Sequence, residues 1–275
     1  MAENPLTRPP RVLVPDLSAY ELSEEKEILL RREERDHVRS RRLRDGTEVV
    51  VLDGKGHHAR GALARNGTAV ALFTFEEKFS SSSSLLPGEP AIRVTVALAC
   101  AEPARVEWAI EKGTECGAAA FVLLDAERSQ RAHVAALSKR IPRLIRIAEE
   151  ATKQCDRTIV PFVEGPKTTE DFLRGLKGET LLIADPGGVP IASFAPGTPS
   201  PSRVNSRSGG STRVRREGPG PLLGVVLAIG PEGGFAPAEI SSFAEKSPVF
   251  LSLGPRILRL ETAVVVALAR LVDPA

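Results

Sequence analysis

The feature of this sequence that most limits its possible folds is a continuous apolar run, Val225–Ile229, that breaks at once into Gly-Pro-Glu-Gly-Gly-Phe at residues 230–235. Such a run is typical of a parallel strand buried on both faces, and ligands of parallel sheets bind just beyond the carboxyl ends of their strands. Glycines at that point let backbone groups approach a ligand closely, because no Cβ stands in the way. The run therefore predicts either a ligand-binding loop or a plain tight turn between a strand and a helix.

A second strand and loop near the C-terminus repeats this plan. Residues 251–254 read Leu-Ser-Leu-Gly, and residues 255–263 continue with Pro-Arg-Ile-Leu-Arg-Leu-Glu-Thr-Ala. Neither loop matches a phosphate-binding pattern, since no Gly-Lys-Ser/Thr follows the first loop and its glycines lack the G-x-G-x-x-G spacing. The carboxylate of Glu232 would repel a phosphate, so a ligand that carries positive charge fits better. Two such loops on neighbouring strands are expected to enclose one small molecule.

Together, the two motifs resemble the paired signature of the 16S ribosomal RNA uridine N3-methyltransferase family, which belongs to the knotted SPOUT methyltransferases. The residues that carry the resemblance are Ile229-Gly230-Pro231-Glu232-Gly233-Gly234-Phe235 with Glu239, and Leu253-Gly254-x-Arg256-Ile257-Leu258-Arg259-x-Glu261-Thr262-Ala263. It extends upstream through residues 107–117 and 147–157 and covers most of the chain outside residues 195–221.

The resemblance implies S-adenosyl-L-methionine as methyl donor and a uridine of 16S ribosomal RNA, free or in the assembled small subunit, as acceptor. It also implies a homodimer and a chain whose last strand and helix pass through a preceding loop, which gives a deep trefoil knot. The residues implied to bind the cofactor are Ile229, Gly230, Gly233, Gly234, Leu253, Gly254, Ile257 and Leu258.

The implied catalytic residues are Arg256, Arg259 and Glu232. Attack by the uracil imide nitrogen requires loss of its proton, and a guanidinium could stabilise the negative charge that spreads to the ring carbonyls. Glu232 is a candidate for orienting a group or accepting that proton. Two structural alternatives stay open: Glu232 could cap N–H groups of its own loop, and the arginines could pair with Glu261 and its neighbours.

The N-terminal part reads as a small β-barrel, residues 1–78, which the resemblance identifies as a PUA-like RNA-binding domain. Residues 47–52 and 59–63 form a hairpin signal, Asn66-Gly67 introduces a further strand, and residues 22–30 are a possible short helix. Residues 31–44 contain seven arginines. We interpret Arg39, Arg42 and Arg44 as RNA-binding residues, with a solvated helix face as the alternative.

From residue 91 onward, strand patterns alternate with helix patterns. This alternation predicts an α/β fold, a mostly parallel sheet with flanking helices, which the resemblance identifies as the knotted SPOUT type. The serine-rich residues 79–90 predict a linker, and residues 91–275 the methyltransferase domain. Residues 195–221 contain five Pro, five Ser and five Arg and predict a flexible insertion within it, either without a role or as a basic flap on RNA.

Composition narrows the classes of protein that fit. No apolar run reaches the roughly 18 residues of a membrane span, and the first 20 residues have no apolar signal core. Cys100, Cys116 and Cys155 are scattered, which indicates buried thiols and neither a disulfide framework nor a metal site. We therefore expect a soluble cytoplasmic protein. Two other function classes stay open, a ribose 2′-O-methyltransferase of the same superfamily and a catalytically silent RNA-binding protein.

Overall fold

The computed structural model describes residues 8–14, 17, 27–76, 88–194 and 224–272, with residues 73–76 described by their backbone alone. The expected insertion at 195–221 and most of the expected linker lie outside these residues. The described chain forms two compact units. The first takes the residues up to Glu89 together with Glu149–Val160, and the second takes Pro90–Ala148 and the residues from Pro161 on.

The first unit is a five-stranded sheet with one helix. The hairpin signals at residues 47–63 and 66–67 are confirmed, since the third and fourth strands and the fourth and fifth strands pair antiparallel. Along the chain, its elements are β1 (Arg11–Leu13), β2 (Glu27–Leu29), α1 (Arg32–Ser40), β3 (Glu48–Leu52), β4 (His58–Ala64) and β5 (Ala69–Glu76). In the sheet the strand order is β1-β3-β4-β5-β2.

Where a short helix over residues 22–30 was expected, the described part is a strand. Ile28 is buried between two exposed neighbours, and this alternation suits a strand with one face on a core. The strand pairs antiparallel with β5. The expectation was wrong because the charged residues at 24–27 suggested a helix, whereas the described strand has a single inward-facing residue, Ile28. Ile28 joins a core that also contains Val12, Val38, Val51 and Val70.

The second unit is a six-stranded sheet with helices. The α/β class expected from the sequence is confirmed, since every strand pair of this sheet is parallel. Its elements are β6 (Val94–Ala99), α2 (Pro103–Glu115), β7 (Ala120–Asp125), α3 (Arg131–Ser138), α4 (Ile141–Gln154), β8 (Phe162–Thr168), α5 (Thr169–Gly175), β9 (Thr180–Pro190), a 3-10 turn (Ile191–Ser193), β10 (Val225–Ile229), α6 (Pro237–Ala244), β11 (Val249–Ser252) and α7 (Leu260–Leu271). The residues of α4 from Glu149 on are grouped with the first unit.

The strand order β11-β9-β10-β6-β7-β8 places the carboxyl ends of β9, β10 and β11 side by side. All five residues of β10 are buried, as the continuous apolar run predicts. The knot implied by the resemblance concerns the path of the whole chain, residues 195–223 included, so it stays a prediction. The apolar run at residues 264–271, rich in β-branched residues that would also suit a strand, is part of α7, and Val264, Ala267 and Leu268 are buried.

An irregularity in β9 shapes this edge of the sheet. Ile183 pairs with Phe250, but the next residue of β11, Leu251, pairs with Val189. Residues 184–188 therefore leave the regular ladder, although β9 continues to Pro190. Gly188 makes this possible, because a Cβ there would lie 2.5 Å from the backbone carbon of Phe250.

Residues 149–160 are held within the first unit by buried charges that the sequence pattern did not reveal. Lys153 Nζ lies 3.0 Å from Glu34 Oε1, and both side chains are at most 4% exposed. The guanidinium of Arg157 pairs with Glu89 at 2.8 Å and is equally buried. The last turn of α4 is therefore bound to α1, and Ile159 forms an isolated bridge with Lys55 before β8 begins at Phe162.

We predict that Lys153→Met lowers the free energy of unfolding by about 3–5 kcal/mol, because it leaves Glu34 buried without a partner. The double variant Glu34→Leu/Lys153→Met should recover most of this loss, since the remaining pair is apolar. Lys167→Met is the matched control, because its partner Glu164 is partly exposed and such pairs contribute at most about 1 kcal/mol. Urea unfolding followed by circular dichroism measures all three, and equal losses at Lys153 and Lys167 would contradict the prediction.

Candidate active site

A cavity of about 670 Å³ opens at the carboxyl ends of β9, β10 and β11, wholly within the second unit. Its volume lies in the range of small-molecule sites, about 300–1,000 Å³. The eleven residues that the sequence assigned to cofactor binding and catalysis all line this cavity. With the further lining residues they are Ile183, Ala184, Asp185, Pro186, Ile229, Gly230, Pro231, Glu232, Gly233, Gly234, Phe235, Ile240, Leu253, Gly254, Arg256, Ile257, Leu258, Arg259, Leu260 and Ala263.

The first loop, residues 230–235, follows β10 directly. The N–H of Gly234 donates to the carbonyl of Pro231 at 2.8 Å, and this turn requires a positive φ of 71° at Gly234. Phe235 turns back over Gly230, where a Cβ would lie 3.1 Å from its ring. The Phe235 ring also meets that of Phe243 on α6 edge-on, with centroids 4.8 Å apart. The first loop is thereby fastened to the helix that follows it.

The second loop, residues 253–259, connects β11 to α7 and carries the two candidate arginines. Gly254 has a φ of +121°, a conformation that favours glycine, and nothing within 4 Å would meet a Cβ there. Arg256 and Arg259 are exposed, and Ile257 between them is 83% exposed. Among the described residues, neither arginine side chain has a hydrogen-bond or ion-pair partner. Their guanidinium groups are therefore available to a ligand.

Arg105, in the first turn of α2, joins the two loops and was missed by the sequence analysis. Its Nη1 lies 2.5 Å from Oε1 of Glu232 in the first loop, and its Nε lies 2.9 Å from Oε2 of Glu261 in α7. The alternative that Arg256 and Arg259 pair with Glu261 is replaced by this arrangement. A signal existed, since Arg105 follows the carboxyl end of β6, a neighbour of β10, at the edge where ligands bind.

The ion pair changes the acid–base properties of Glu232. The hydrogen bond from Arg105 lowers the pKa of Glu232, and the charge of Arg259 lowers it further. Glu232 is thus a carboxylate at neutral pH whose proton affinity is reduced. Since a general base works best with a pKa near the operating pH, this pairing favours a structural role for Glu232 over proton acceptance.

Glu239, which belongs to the first signature motif, anchors three segments. Its Oε2 accepts the N–H of Ala236 at 2.9 Å, which caps α6 where the N-cap residue itself has no side-chain acceptor. Its Oε1 accepts the hydroxyl of Thr169 at 2.5 Å and the N–H of Glu127 at 3.1 Å. In addition, Nη1 of Arg128 donates to the carbonyl of Gly233 at 2.5 Å. The segment after β7 thus supports the first loop.

The residues of β9 that line the cavity were also missed as site residues. The irregularity in β9 brings residues 183–186 to the cavity wall. Asp185 is the acidic residue among them, and its Oδ1 accepts the N–H of Gly187 at 2.7 Å. The turn Asp-Pro-Gly-Gly at 185–188 was visible in the sequence, but its position opposite the two loops depends on the pairing of β9 with β10 and β11.

The candidate RNA-binding arginines belong to the first unit. Arg39 lies on α1 and pairs with Asp36 at 3.7 Å, whereas Arg42 and Arg44 follow the helix and have no ion-pair partner among the described residues. All three side chains are largely accessible to solvent. Arg42 adopts a positive φ of 53°, which turns the chain at the end of α1.

Within the described segments, no group of three or more His, Cys, Asp or Glu side chains could hold a metal ion. Among those same residues, no helix is long and apolar enough to cross a membrane. No disulfide joins the three cysteines, all of which the structure describes, and burial raises the pKa of Cys100 to about 12, so its thiol stays protonated at neutral pH.

Comparison with known proteins agrees with this geometry. The family model for the RNA methyltransferase domain matches residues 88–272. The ribosomal RNA small subunit methyltransferase E of Synechocystis is 34% identical over 233 residues, which cover 84% of this chain and 67% of that protein. The protein of the same name from Bacillus subtilis is 28% identical over 261 residues, with 92% and 93% covered.

The fold is shared with a solved structure of this group. The crystal structure of the ribosomal RNA small subunit methyltransferase E from Neisseria gonorrhoeae, bound to S-adenosyl methionine, aligns with a TM-score of 0.73. The alignment covers 95% of this chain and 96% of that one at 20% identity. By its family match and its relatives, this chain belongs to the RNA methyltransferase domain family and, within it, to the ribosomal RNA small subunit methyltransferases E.

Proposed function

We propose that this protein transfers a methyl group from S-adenosylmethionine to N3 of a uridine in 16S ribosomal RNA, in the cytoplasm. The observation that carries the proposal is the convergence of both signature loops on one cavity of about 670 Å³. The two loops are separated in sequence by α6 and β11, yet their apolar and charged residues line the same cavity. The solved relative from Neisseria gonorrhoeae, which holds S-adenosyl methionine, supports the assignment of the cofactor.

The cavity residues suit the cofactor by their chemistry. Ile229, Leu253, Ile257 and Leu258 offer apolar contact to an adenine ring, and the glycines of both loops expose backbone donors and acceptors for its edges and the ribose. The bound cofactor supplies an electrophilic methyl group on a sulfonium. Its positive charge is tolerated beside the carboxylates of Glu232 and Asp185, which also line the cavity.

The protein must also stabilise the negative charge that develops on the uracil ring, the methyl acceptor. Loss of the N3 proton spreads negative charge to the two ring carbonyl oxygens, and Arg256 or Arg259 donates hydrogen bonds to them. Both guanidiniums are available for this task, because Glu232 and Glu261 are already paired with Arg105. The N3–C bond forms as the sulfur–methyl bond breaks, and one proton leaves for each methyl transferred. Holding the three reacting atoms in line supplies much of the remaining acceleration.

Gly254→Ala should weaken S-adenosylmethionine binding about tenfold or more, which corresponds to about 1.4 kcal/mol. At its φ of +121° a Cβ is strained, so the second loop relaxes and withdraws its backbone from the cavity. Gly178→Ala is the matched control, since Gly178 has a φ of +112° with no atom near its Cβ position and does not line the cavity. Calorimetric titration measures both. Absence of binding by the unmodified protein at millimolar cofactor would refute the assignment.

Primer extension tests the target atom. Methylation at N3 removes a donor from the Watson–Crick edge, so reverse transcriptase should stop one nucleotide before the modified uridine. Small subunits that lack the modification are treated with enzyme and labelled cofactor, and the stops are mapped. We expect one strong stop. Arg256→Ala should lower the rate at which the stop accumulates about 100-fold, while cofactor binding persists. Arg140→Ala, an exposed arginine paired with Glu107 outside the cavity, serves as control.

The same assay separates the alternatives. Label incorporated without a strong stop would overturn the N3 assignment in favour of ribose 2′-O-methylation, which leaves the pairing edge intact. No label in free RNA or in small subunits, together with intact RNA binding, would favour the silent RNA-binding protein.

We assign RNA contact to the first unit, as a PUA-like domain, through Arg39, Arg42 and Arg44. The guanidiniums of Arg42 and Arg44, which pair with no carboxylate of the described chain, support this role. Arg42→Ala/Arg44→Ala should lower RNA affinity and reduce the slope of log affinity against log salt by roughly 0.7–0.9 for each phosphate that the protein no longer binds. Arg174→Ala, which removes an exposed arginine paired with Glu170 and Asp171, should leave the slope unchanged. An unchanged slope in the double variant would contradict the assignment.

A homodimer completes the proposal. The apolar run at residues 264–271 gives no argument for a partner, because α7 buries Val264, Ala267 and Leu268 within its own unit. The dimer now rests on the resemblance and on Ile257, which stays 83% exposed at the cavity. Light scattering at micromolar concentration should give twice the 29.4 kDa of one chain. A mass of one chain at these concentrations would rule the dimer out.

A further inference from the structure

One guanidinium group connects the two loops that line the cavity. Arg105 reaches Glu232 in the first loop through Nη1 at 2.5 Å and Glu261 at the start of α7 through Nε at 2.9 Å. Arg105 itself lies in the first turn of α2, which follows β6, so the contact joins three segments at the same sheet edge. The side chain therefore links the first loop to the start of α7, two residues after the second loop, in addition to the sheet from which both loops emerge.

We propose that Arg105 is a positioning residue that holds the two loops in the one arrangement that methyl transfer requires. The inference rests on the proposed function of the cavity and extends it to a residue outside the cavity wall. Glu261 is 14% exposed and comes directly after Leu260, so fixing its carboxylate fixes the end of the second loop. Glu232 is 76% exposed, and its placement therefore depends on Arg105 and not on packing.

The hydrogen bonds of Arg105 favour positioning over simple stabilisation. Its third nitrogen, Nη2, is buried and has no hydrogen-bond partner among the described residues. A buried donor without a partner costs free energy. The position of the guanidinium is therefore not explained by hydrogen bonding of all its own nitrogens. Its geometry instead satisfies two carboxylates that would otherwise repel each other. A planar guanidinium suits this bridge, since its nitrogens point in different directions in one plane.

Methyl transfer requires close alignment of the reacting atoms, so its rate depends on the relative position of the two loops. The first loop offers backbone and apolar contact to the cofactor, and the second loop carries Arg256 and Arg259. A displacement of about 1 Å between them misaligns the reacting atoms and can cost about 100-fold in rate. Arg105 therefore acts on the chemistry through Glu232 and Glu261 without touching either substrate.

Arg105→Ala tests this role through two independent measurements. Steady-state kinetics on small subunits should show a kcat reduced about 100-fold and a KM for S-adenosylmethionine raised about tenfold. Hydrogen exchange of the ligand-free protein should show faster exchange in residues 230–235 and in residues 253–261 together. Arg105→Lys should restore part of both, because an ammonium group can replace one of the two contacts at a time.

Three comparison variants make the test specific. Arg143→Ala breaks another arginine–glutamate pair made with α2, the one with Glu107, and should leave kcat, KM and both loops unchanged. Arg128→Ala removes the hydrogen bond to the carbonyl of Gly233 and should affect residues 230–235 alone. Arg105→Ala/Glu261→Gln should be no worse than Arg105→Ala, because residues that act through one contact are not additive.

The outcomes distinguish failure of the positioning role of Arg105 from failure of the proposed function. Normal kcat and KM in Arg105→Ala at equal folded fraction, or losses that add in the double variant, would overturn the positioning role. Lower thermal stability with unchanged kinetics would overturn it as well, since that is the result of a purely structural contact. If the unmodified protein neither binds cofactor nor transfers methyl groups, the proposed function fails, while hydrogen exchange in the two loops still decides whether Arg105 couples them.

Discussion

The parallel pairing of β10 with both β9 and β6 is the constraint on which the rest of the second unit depends. All five residues of β10 are buried, and their hydrogen bonds run to a neighbour on each side. Because the pairing is parallel, three strands from distant parts of the sequence end at one edge of the sheet. The cavity lies at that edge. Any change that disturbed the register of β10 would move the first loop, the wall from β9 and the entry to α6 together.

Charge is distributed around the cavity in a way that sequence spacing does not reveal. Glu232 of the first loop and Glu261 at the start of α7 both pair with Arg105, which comes from a third segment. The basic residues of the second loop pair with no carboxylate in the described part of the chain, and they are exposed at the cavity. In the function we propose, the paired charges hold the loops and the unpaired arginines contact the substrate.

Buried ion pairs also determine which part of the chain belongs to which unit. Lys153 and Arg157 lie far along the chain from Glu34 and Glu89, yet each pair is nearly inaccessible to water. A charge so buried needs its partner, because desolvation of an unpaired ion costs several kcal/mol. The pairs therefore bind residues 149–160 to the first unit, although the helix that contains the first of them begins in the second.

The α/β class, the two hairpins and the buried strand before the first loop could be predicted from the sequence, and the family resemblance of its two motifs identified eleven of the residues that line the cavity. These features depend on local rules: a continuous apolar run, turn residues between short strands, and two motifs whose glycines mark close backbone approach. The bulged course of β9, the anchoring role of Glu239 and the bridge made by Arg105 could not be predicted in this way. Each of these depends on which segments lie side by side, and a side chain such as that of Arg105 leaves no periodic trace of a partner more than a hundred residues away. Local pattern therefore located the site, and the packing of distant segments set its geometry.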